Sequence, residues 1–485
     1  MRVLIANRGE VAVRIIRTCE ELGYKSILLH STPDKNTLAY KLADEKYELQ
    51  GTSALETYLN IPRVVDAAKK TKADLVHPGF GFLSENADFV DALEKARINF
   101  VGPSAEAIRA AGNKIQAKDL AKRFGVPTGP SFTSQEKDPA KLLKEAQKVG
   151  FPCIVKAASG GGGKGMKVVR TEKEFFELYE SAQREAKNAF GSEIVFIEKY
   201  LERPRHIEVQ IFFDRGLNGV HLFERECSIQ RRHQKIFEET PSLTLTQGQR
   251  DQITAAALKI GKGAGYKNAG TVEFLLDNDG KFYFMELNTR LQVEHTVTEA
   301  VTGLDLVKWQ FEIASGHPLP LKQEEITTRG HALEVRIYAE NPEKEFLPSV
   351  GQIAEMSFPM GPHRRFDFGY GVGDIVTPYY DPMIGKIITW APTREENIKR
   401  MKATLSEVII FGVHTNIEFL KAVLDNKNFQ NNRLSTRFLE EEFSRGYTPQ
   451  ALTKAQRDFA EASKNLPEEN FQSSSGILYE SPWYG

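Results

Sequence analysis

The first 112 residues alternate between two hydrophobic periods. Short apolar runs at 3–6, 26–30, 74–76 and 99–101 read as strands, and the segments between them place apolar residues every three to four positions. Over residues 10–22 that spacing puts Val11, Ile15, Ile16, Cys19 and Leu22 on one face, the stripe of an amphipathic helix. Alternating strands and helices predict a doubly wound parallel α/β unit at 1–112. The first strand runs into Asn7-Arg8-Gly9-Glu10 rather than the G-x-G-x-x-G of a dinucleotide-binding turn, which argues against a nicotinamide ligand. Ligands of open α/β sheets gather beyond the carboxyl ends of the strands. Residues 7–10 and 77–85 both fall there.

A helix at 114–124, stopped by Gly125-Val126-Pro127, leads into a small α/β lobe at 130–203 whose main helix is expected at 172–187. Tyr200-Leu201-Glu202-Arg203-Pro204 marks the turn into a larger portion, strand-rich at 206–213 and 219–226 and mixed further on. After Arg445 the composition shifts to Lys, Glu, Asn, Gln and Ser. Residues 446–485 read as a tail of unknown role, with a helix at 453–464 and a mobile end.

Three clusters carry chemistry. The first is a pair of runs, Thr271-Val272-Glu273-Phe274-Leu275-Leu276 and Phe282-Tyr283-Phe284-Met285-Glu286-Leu287-Asn288, joined by Asp277-Asn278-Asp279-Gly280, a strong hairpin signal. A two-residue loop at 278–279 sets Glu273 opposite Phe284, and one at 279–280 sets it opposite Glu286. Either register puts Glu273, Glu286 and Asn288 on one face, because side chains alternate with period 2. Facing carboxylates repel, and a hard divalent cation on oxygen ligands removes that cost. These three residues are therefore the candidate ligands of Mg²⁺.

The second cluster is strand, glycine loop, strand: Cys153-Ile154-Val155-Lys156-Ala157, then Ala158-Ser159-Gly160-Gly161-Gly162-Gly163-Lys164-Gly165, then Met166-Lys167-Val168-Val169. Successive glycines let backbone N–H groups approach an anion closely, and the lysines add charge. The spacing is not that of a P-loop, and a mobile flap over phosphates is expected. The third cluster, Arg231-Arg232-His233-Gln234-Lys235, crowds four potential cations together. Phosphoryl transfer needs such charge around developing oxyanions.

Taken together, these segments give the chain a form that resembles the biotin carboxylases, members of the ATP-grasp ligases. The likeness rests on Ala6-Asn7-Arg8-Gly9-Glu10, His77-Pro78-Gly79-Phe80-Gly81-Phe82-Leu83-Ser84-Glu85-Asn86, the glycine loop, Glu198-Lys199-Tyr200-Leu201-Glu202, Ser228 to Lys235, Glu286 to Glu294 and Tyr379-Tyr380-Asp381-Pro382-Met383-Ile384-Gly385-Lys386. It extends over residues 1–445. The glycine loop and metal pair alone are shared with other ATP-grasp ligases that make acyl or carbamoyl phosphates; the Arg-Arg-His-Gln-Lys and Asn-Thr-Arg-Leu-Gln-Val-Glu-His segments separate the two. The resemblance implies a three-part α/β architecture. An N-terminal domain at 1–112 precedes an ATP-grasp body at 113–315, with its lid lobe at 130–203 and metal and bicarbonate strands at 204–315. A mixed α+β C-terminal domain follows at 330–445.

The implied reaction joins ATP, bicarbonate and biotin through carboxyphosphate, with Mg²⁺ or Mn²⁺. Carried over by position, Lys114, Lys156 and the backbone of Gly160, Gly161, Gly162, Gly163, Lys164, Gly165 and Met166 meet the phosphates. Glu198, Lys199 and Leu201 face adenine, His206 and Gln230 the ribose, and His233 lies near the phosphates. Arg290, Gln292, the Val293 N–H and Lys235 cradle bicarbonate, Glu294 is its base, and Arg336 stabilises the biotin enolate. Asn113 stands where the family often has Asp, Phe80 for a frequent Tyr, and Thr296 where Pro is common. None of these removes a charged group.

Composition sets limits on partners. A net charge of −1 with 27% charged residues suggests neither nucleic acid nor an anionic membrane. No apolar run approaches the ~18 residues of a membrane span. Met1-Arg2 leads straight into the first strand, so no signal peptide is expected. The 3 cysteines, Cys19, Cys153 and Cys227, have neither disulfide nor CxxC spacing, as suits a reducing cytoplasm. Met-Lys occurs only at 166–167 and 401–402, without the flanks of a biotin-attachment turn. The resemblance thus implies biotin on a separate carrier protein, a carboxyltransferase partner and a homodimer. Acetyl-CoA, propionyl-CoA and pyruvate systems share this half-reaction, and the residues do not separate them.

Overall fold

The computed structural model describes residues 1–133, 139–157, 166–232 and 234–448. The glycine-loop residues 158–165, His233 and the expected tail helix lie outside the described residues. At the N-terminus five strands form one sheet in the spatial order Glu45–Leu49, Lys25–Ser31, Arg2–Ile5, Leu75–His77, Asn99–Phe100. Every pairing is parallel. The strand Glu45–Leu49 escapes the hydrophobic pattern because it is an edge, alternating half-buried and exposed polar residues along most of its length. Helix Gly9–Glu21 buries Val11, Ile15, Ile16 and Cys19, and also Ala12, Val13, Arg14 and Thr18 on other sides. It is covered by the sheet and by the rest of the molecule at once, so its apolar stripe understates its burial.

The small lobe is an antiparallel sheet in the order Ser131–Thr133, Val195–Lys199, Cys153–Ala157, Lys167–Val169. Helices Pro139–Val149 and Phe175–Phe190 pack against it. Its core, including Val155, Phe175, Tyr179 and Ile197, is its own and separate from those of the larger parts. Pairing of Ile154 with Val168 and Val155 with Lys167 places the base of the glycine loop at one end of this sheet.

The body is one eight-stranded sheet in the order Phe282–Asn288, Asn268–Leu276, Arg205–Phe213, Gly219–Arg231, Gln234–Thr240, His331–Tyr338, Met383–Ala391, Arg364–Phe368. Strands from before and after residue 330 therefore share a continuous ladder, through the antiparallel pairing of Glu238 with Glu334 and its neighbours. The hairpin adopts neither two-residue loop. Asp277 N–H bonds to Lys281 O, leaving a three-residue loop with Gly280 at φ +82°, and Phe274 pairs with Phe284. A β-bulge between Glu273 and Phe274 then shifts the register so that Glu273 faces Glu286, since a bulge sets two residues against one.

Two glycines allow close approach at the N-terminal domain, one within it and one across its boundary. Gly79 has φ +61°, and a Cβ there would lie 2.8 Å from Asn7 Nδ2, which donates to the carbonyls of Pro78 (2.6 Å) and Phe80 (2.7 Å). Asn7 thus ties the first loop to the 77–85 loop. Gly369 approaches the start of the first helix so closely that a Cβ would meet Glu10 N at 2.4 Å. Arg8 bonds Asp34 and the Tyr370 hydroxyl, and Lys41 pairs with Asp374, so polar contacts join the N-terminal domain to the segment 370–374. Among the described residues no helix is long and apolar enough to cross a membrane.

Candidate active site

Three adjacent strands of the body each contribute a carboxylate to one row. Glu208 is the register partner of Glu273, and Glu273 of Glu286. Like charges in such a row repel, and the structure compensates them unevenly. At one end Lys235 Nζ lies 2.5 Å from Glu208 and 2.9 Å from Glu273. At the other, Lys114 Nζ stands 3.9 Å from Glu286. Burial and the neighbouring Glu273 push the Glu286 carboxyl up. On Glu273 burial acts the same way, but Lys235 and His206 outweigh it and hold the group well below the usual carboxylate range.

That imbalance tests whether a divalent ion fits. His206, Glu208 and Glu273 converge closely enough to hold a cation, but the Lys235 ammonium already fills that role for both carboxylates. The poorly compensated edge is Glu273–Glu286, where Asn288 follows two positions along the same face. Carboxylate and amide oxygens are the ligands hard cations take, so Glu273, Glu286 and Asn288 fit Mg²⁺ or Mn²⁺.

Lys235 continues to Glu294 at 2.6 Å. The second oxygen of Glu294 accepts from Arg336 Nη2 at 2.9 Å. Burial pushes the Glu294 carboxyl up, but Lys235, Arg336 and Arg225 reverse this and hold it well below its ordinary range. Lys235 is the mirror case, its ammonium disfavoured by burial yet raised by Glu208, Glu273 and Glu294. Gln292 spans the same centre, donating to Glu273 at 2.9 Å and accepting from Arg225 at 2.7 Å. Lys386 bonds the Val293 carbonyl, which fixes the turn carrying Glu294. Arg290 leans toward the N-terminal domain, with its Nε 3.0 Å from Glu85. The Thr289 N–H holds the other Glu85 oxygen at 3.1 Å.

Where the lid meets the body, Glu198 accepts from Lys118 and, at 3.0 Å, from Lys156. The Lys199 N–H is taken by Pro130 O. Both ring nitrogens of His206 face protein, with Nδ1 2.7 Å from Gln230 Nε2 and Nε2 3.1 Å from Glu273. The structure thus gathers Lys235, Glu273, Gln292, Glu294 and Arg336 into one network and sets Lys114 and Glu286 at its edge. Lys156 and Glu198 form a separate cluster at the lid.

Glu238 accepts from Arg336 Nε at 2.6 Å, and it is one of four residues of these networks that escaped the sequence reading. Glu208 carried a signal: it lies two positions beyond His206 on the same strand face, flanked by Ile207 and Val209. Lys118 did too, one helical turn after Lys114. Arg225 and Glu238 carried none, because a charged residue inside a strand is indistinguishable from an exposed one until the sheet is assembled. Arg225 is 0% exposed and bonds Glu208, Gln210, Thr271, Gln292 and Thr298.

Comparison with known proteins supplies the family. Residues 1–108 match the biotin carboxylase N-terminal domain, 113–322 the carbamoyl-phosphate synthase L chain ATP-binding domain, and 334–441 the biotin carboxylase C-terminal domain. The biotin carboxylase of Nostoc sp. is 47% identical over 440 residues, covering 91% of this chain and 98% of that one. The alpha chain of the mitochondrial methylcrotonoyl-CoA carboxylase of Dictyostelium discoideum is 44% identical over 483 residues, covering 99% of this chain and 69% of that one. That alignment runs on through the tail beyond residue 445, where the sequence resemblance stopped. The biotin carboxylase domain dimer of Hydrogenobacter thermophilus 2-oxoglutarate carboxylase, solved with MgADP, ADP and bicarbonate, superposes with a TM-score of 0.87 at 44% identity, covering 91% of this chain and 97% of that one. The chain belongs to the biotin carboxylase family, ATP-grasp ligases that carboxylate biotin.

Proposed function

We propose that this chain performs the first half-reaction of a biotin-dependent carboxylase in the cytoplasm, as a homodimer. It would carboxylate biotin held on a separate carrier and work beside a carboxyltransferase partner. The observation that carries the reading is Glu294 bonded at once to Lys235 and Arg336. One carboxylate thereby links the cation of the phosphoryl-transfer side to the arginine of the biotin side.

Bicarbonate enters among Lys235, Arg290, Gln292 and the Val293 N–H, where positive charge lowers its pKa and Glu294 takes its proton. Its oxygen attacks the γ-phosphorus of ATP and ADP leaves. A divalent ion on Glu273, Glu286 and Asn288 would offset phosphate charge during this step. Carboxyphosphate breaks to CO₂ and phosphate, and phosphate removes the ureido N–H proton of biotin. Arg336 stabilises the enolate oxygen while the nitrogen attacks CO₂. Lys114, Lys156, His233 and the Gly160–Gly165 backbone serve the phosphates. Glu198, Lys199 and Leu201 serve adenine, the Lys199 contact falling to its carbonyl because its N–H is spent. With both His206 nitrogens facing protein, His206 orients Glu273 and the ribose contact rests with Gln230. The relatives named above belong to carboxylases of different acceptors, so the final acceptor is set by the partner proteins.

The test is ATP cleavage with bicarbonate and free biotin: both should stimulate it, and carboxybiotin should form. Stimulation by ammonia in place of biotin would assign the chain to carbamoyl-phosphate chemistry instead. Glu286→Gln should raise the Mg²⁺ concentration for half-maximal ATP cleavage by at least about 10-fold, since even outer partners of metal ligands are worth about 10–100-fold. An unchanged Mg²⁺ requirement removes Glu286 from the metal site. The lid should close on nucleotide. Hydrogen exchange at 153–157 and 166–169 is expected to slow with an ATP analogue plus Mg²⁺, but not with free biotin; equal protection in both conditions refutes closure.

A further inference from the structure

Behind Arg336 lies a pair of carboxyl groups that the mechanism above does not use. Glu238 and Glu334 are direct partners across strands 234–240 and 331–338, and both are 0% exposed. Two carboxylates facing each other in a dry interior do not both ionise, so the pair carries one proton. The hydrogen bonds say how it is arranged. Glu238 Oε1 accepts from Arg336 Nε at 2.6 Å, and Glu334 Oε2 accepts from the Thr296 hydroxyl. The two remaining oxygens, Glu238 Oε2 and Glu334 Oε1, are buried without a donor, one on each side. A proton on the pair supplies a donor where the protein supplies none.

From this geometry we infer that Glu238 is a positioning residue for Arg336, with Glu334 opposite it holding the proton that keeps the pair singly charged. The inference rests on the reading of Arg336 as the residue that serves the biotin step. Arg336 has two carboxylate anchors, Glu238 through Nε and Glu294 through Nη2. When Glu294 takes the bicarbonate proton it loses its charge, and its hold on Arg336 weakens just before biotin reacts. Glu238 Oε1 lies 2.6 Å from both Nε and Nη2, so it still holds that edge of the guanidinium in place. Thr296, which stands where the family commonly has Pro, supplies the hydroxyl that fixes the Glu334 end.

The charged groups around the pair agree with this division. Arg336 and Lys235 favour the ionised form of Glu238, while burial and Glu294 oppose it, leaving its carboxyl raised to about 7. Burial also raises Glu334, against the pull of Lys386 and with Glu238 adding to the rise. Glu238 bonds the Arg336 guanidinium whereas Glu334 bonds only a neutral hydroxyl, so the charge sits on Glu238 and the proton on Glu334. Protonating Glu238 as the pH falls releases one anchor of Arg336, so the biotin step should slow on the acid side.

The experiment compares the isosteric Glu238→Gln with Glu238→Asp, using free biotin as acceptor and, separately, bicarbonate-dependent ATP cleavage without biotin. Glu238→Gln is expected to lower kcat for biotin carboxylation by at least tenfold, with biotin-independent ATP cleavage and the KM for ATP within threefold of wild type. Glu238→Asp should recover part of the loss. The acid limb of the wild-type biotin step should vanish in Glu238→Gln. Wild-type carboxylation by Glu238→Gln, a parallel fall of both reactions, or an unchanged acid limb each overturns the positioning role. Absence of carboxybiotin from the wild-type protein instead overturns the reading of the site on which this role depends.

Discussion

Replacing Glu294 by Gln is expected to abolish bicarbonate-dependent ATP cleavage while leaving ATP affinity within a few-fold of wild type. The substitution preserves shape and leaves Lys114 and Lys156 untouched, although the single amide oxygen can accept from only one of Lys235 and Arg336. What is lost is the acceptor for the bicarbonate proton, an effect worth about 10²–10⁴ in rate for a positioned base. The surrounding cations hold Glu294 well below the usual carboxylate range. It is therefore ionised at every pH near neutrality, and protonation of Glu294 in the free enzyme cannot produce an acid limb there. Such a depressed group is a weak base, and the same cations must make bicarbonate a stronger acid for the transfer to proceed. Single-turnover measurement of ADP formation decides the matter. Near-normal turnover in the variant would falsify the assignment.

The second large effect is expected from Arg336→Ala. Biotin carboxylation should fall by about 10²–10³, the usual loss for one oxyanion donor. Biotin-independent ATP cleavage should fall much less. It is not expected to be wholly unaffected, because Arg336 also bonds Glu294. Its removal loosens that carboxylate and lets its pKa rise toward normal. Measuring both reactions on one preparation separates the contributions. Equal losses would place Arg336 in the first chemical step and would overturn the biotin-step role inferred for Glu238.

The sequence was most legible where chemistry depends on neighbours along the chain. Period-2 alternation places Glu273, Glu286 and Asn288 on one face in both two-residue registers, but the three-residue loop would set Glu273 opposite Met285, and the bulge beside Glu273 is what restores Glu286 as its partner. The parallel N-terminal unit was visible for the same reason, its helices and buried strands each repeating a local period. Its edge strand, Glu45–Leu49, was not, because half-exposed polar alternation resembles a loop. Lys118 and Glu208 were within reach of a stricter use of the same periods.

By itself the amino-acid sequence determined four of the five strands and the first helix of the N-terminal domain, the strands 153–157 and 167–169 that flank the glycine run, and the hairpin carrying Glu273 and Glu286, since each is a property of adjacent or periodically spaced residues. Only the tertiary structure decided that Lys235 stands among Glu208, Glu273 and Glu294, and that Arg225 is wholly buried. It alone decided that Glu238 meets Glu334 and that Glu85 reaches Thr289 and Arg290 from another domain. The physical reason is common to all four. A buried charge is tolerable only beside a partner, and when the partner lies on a distant strand or domain, no local pattern announces the pair before the sheet has closed.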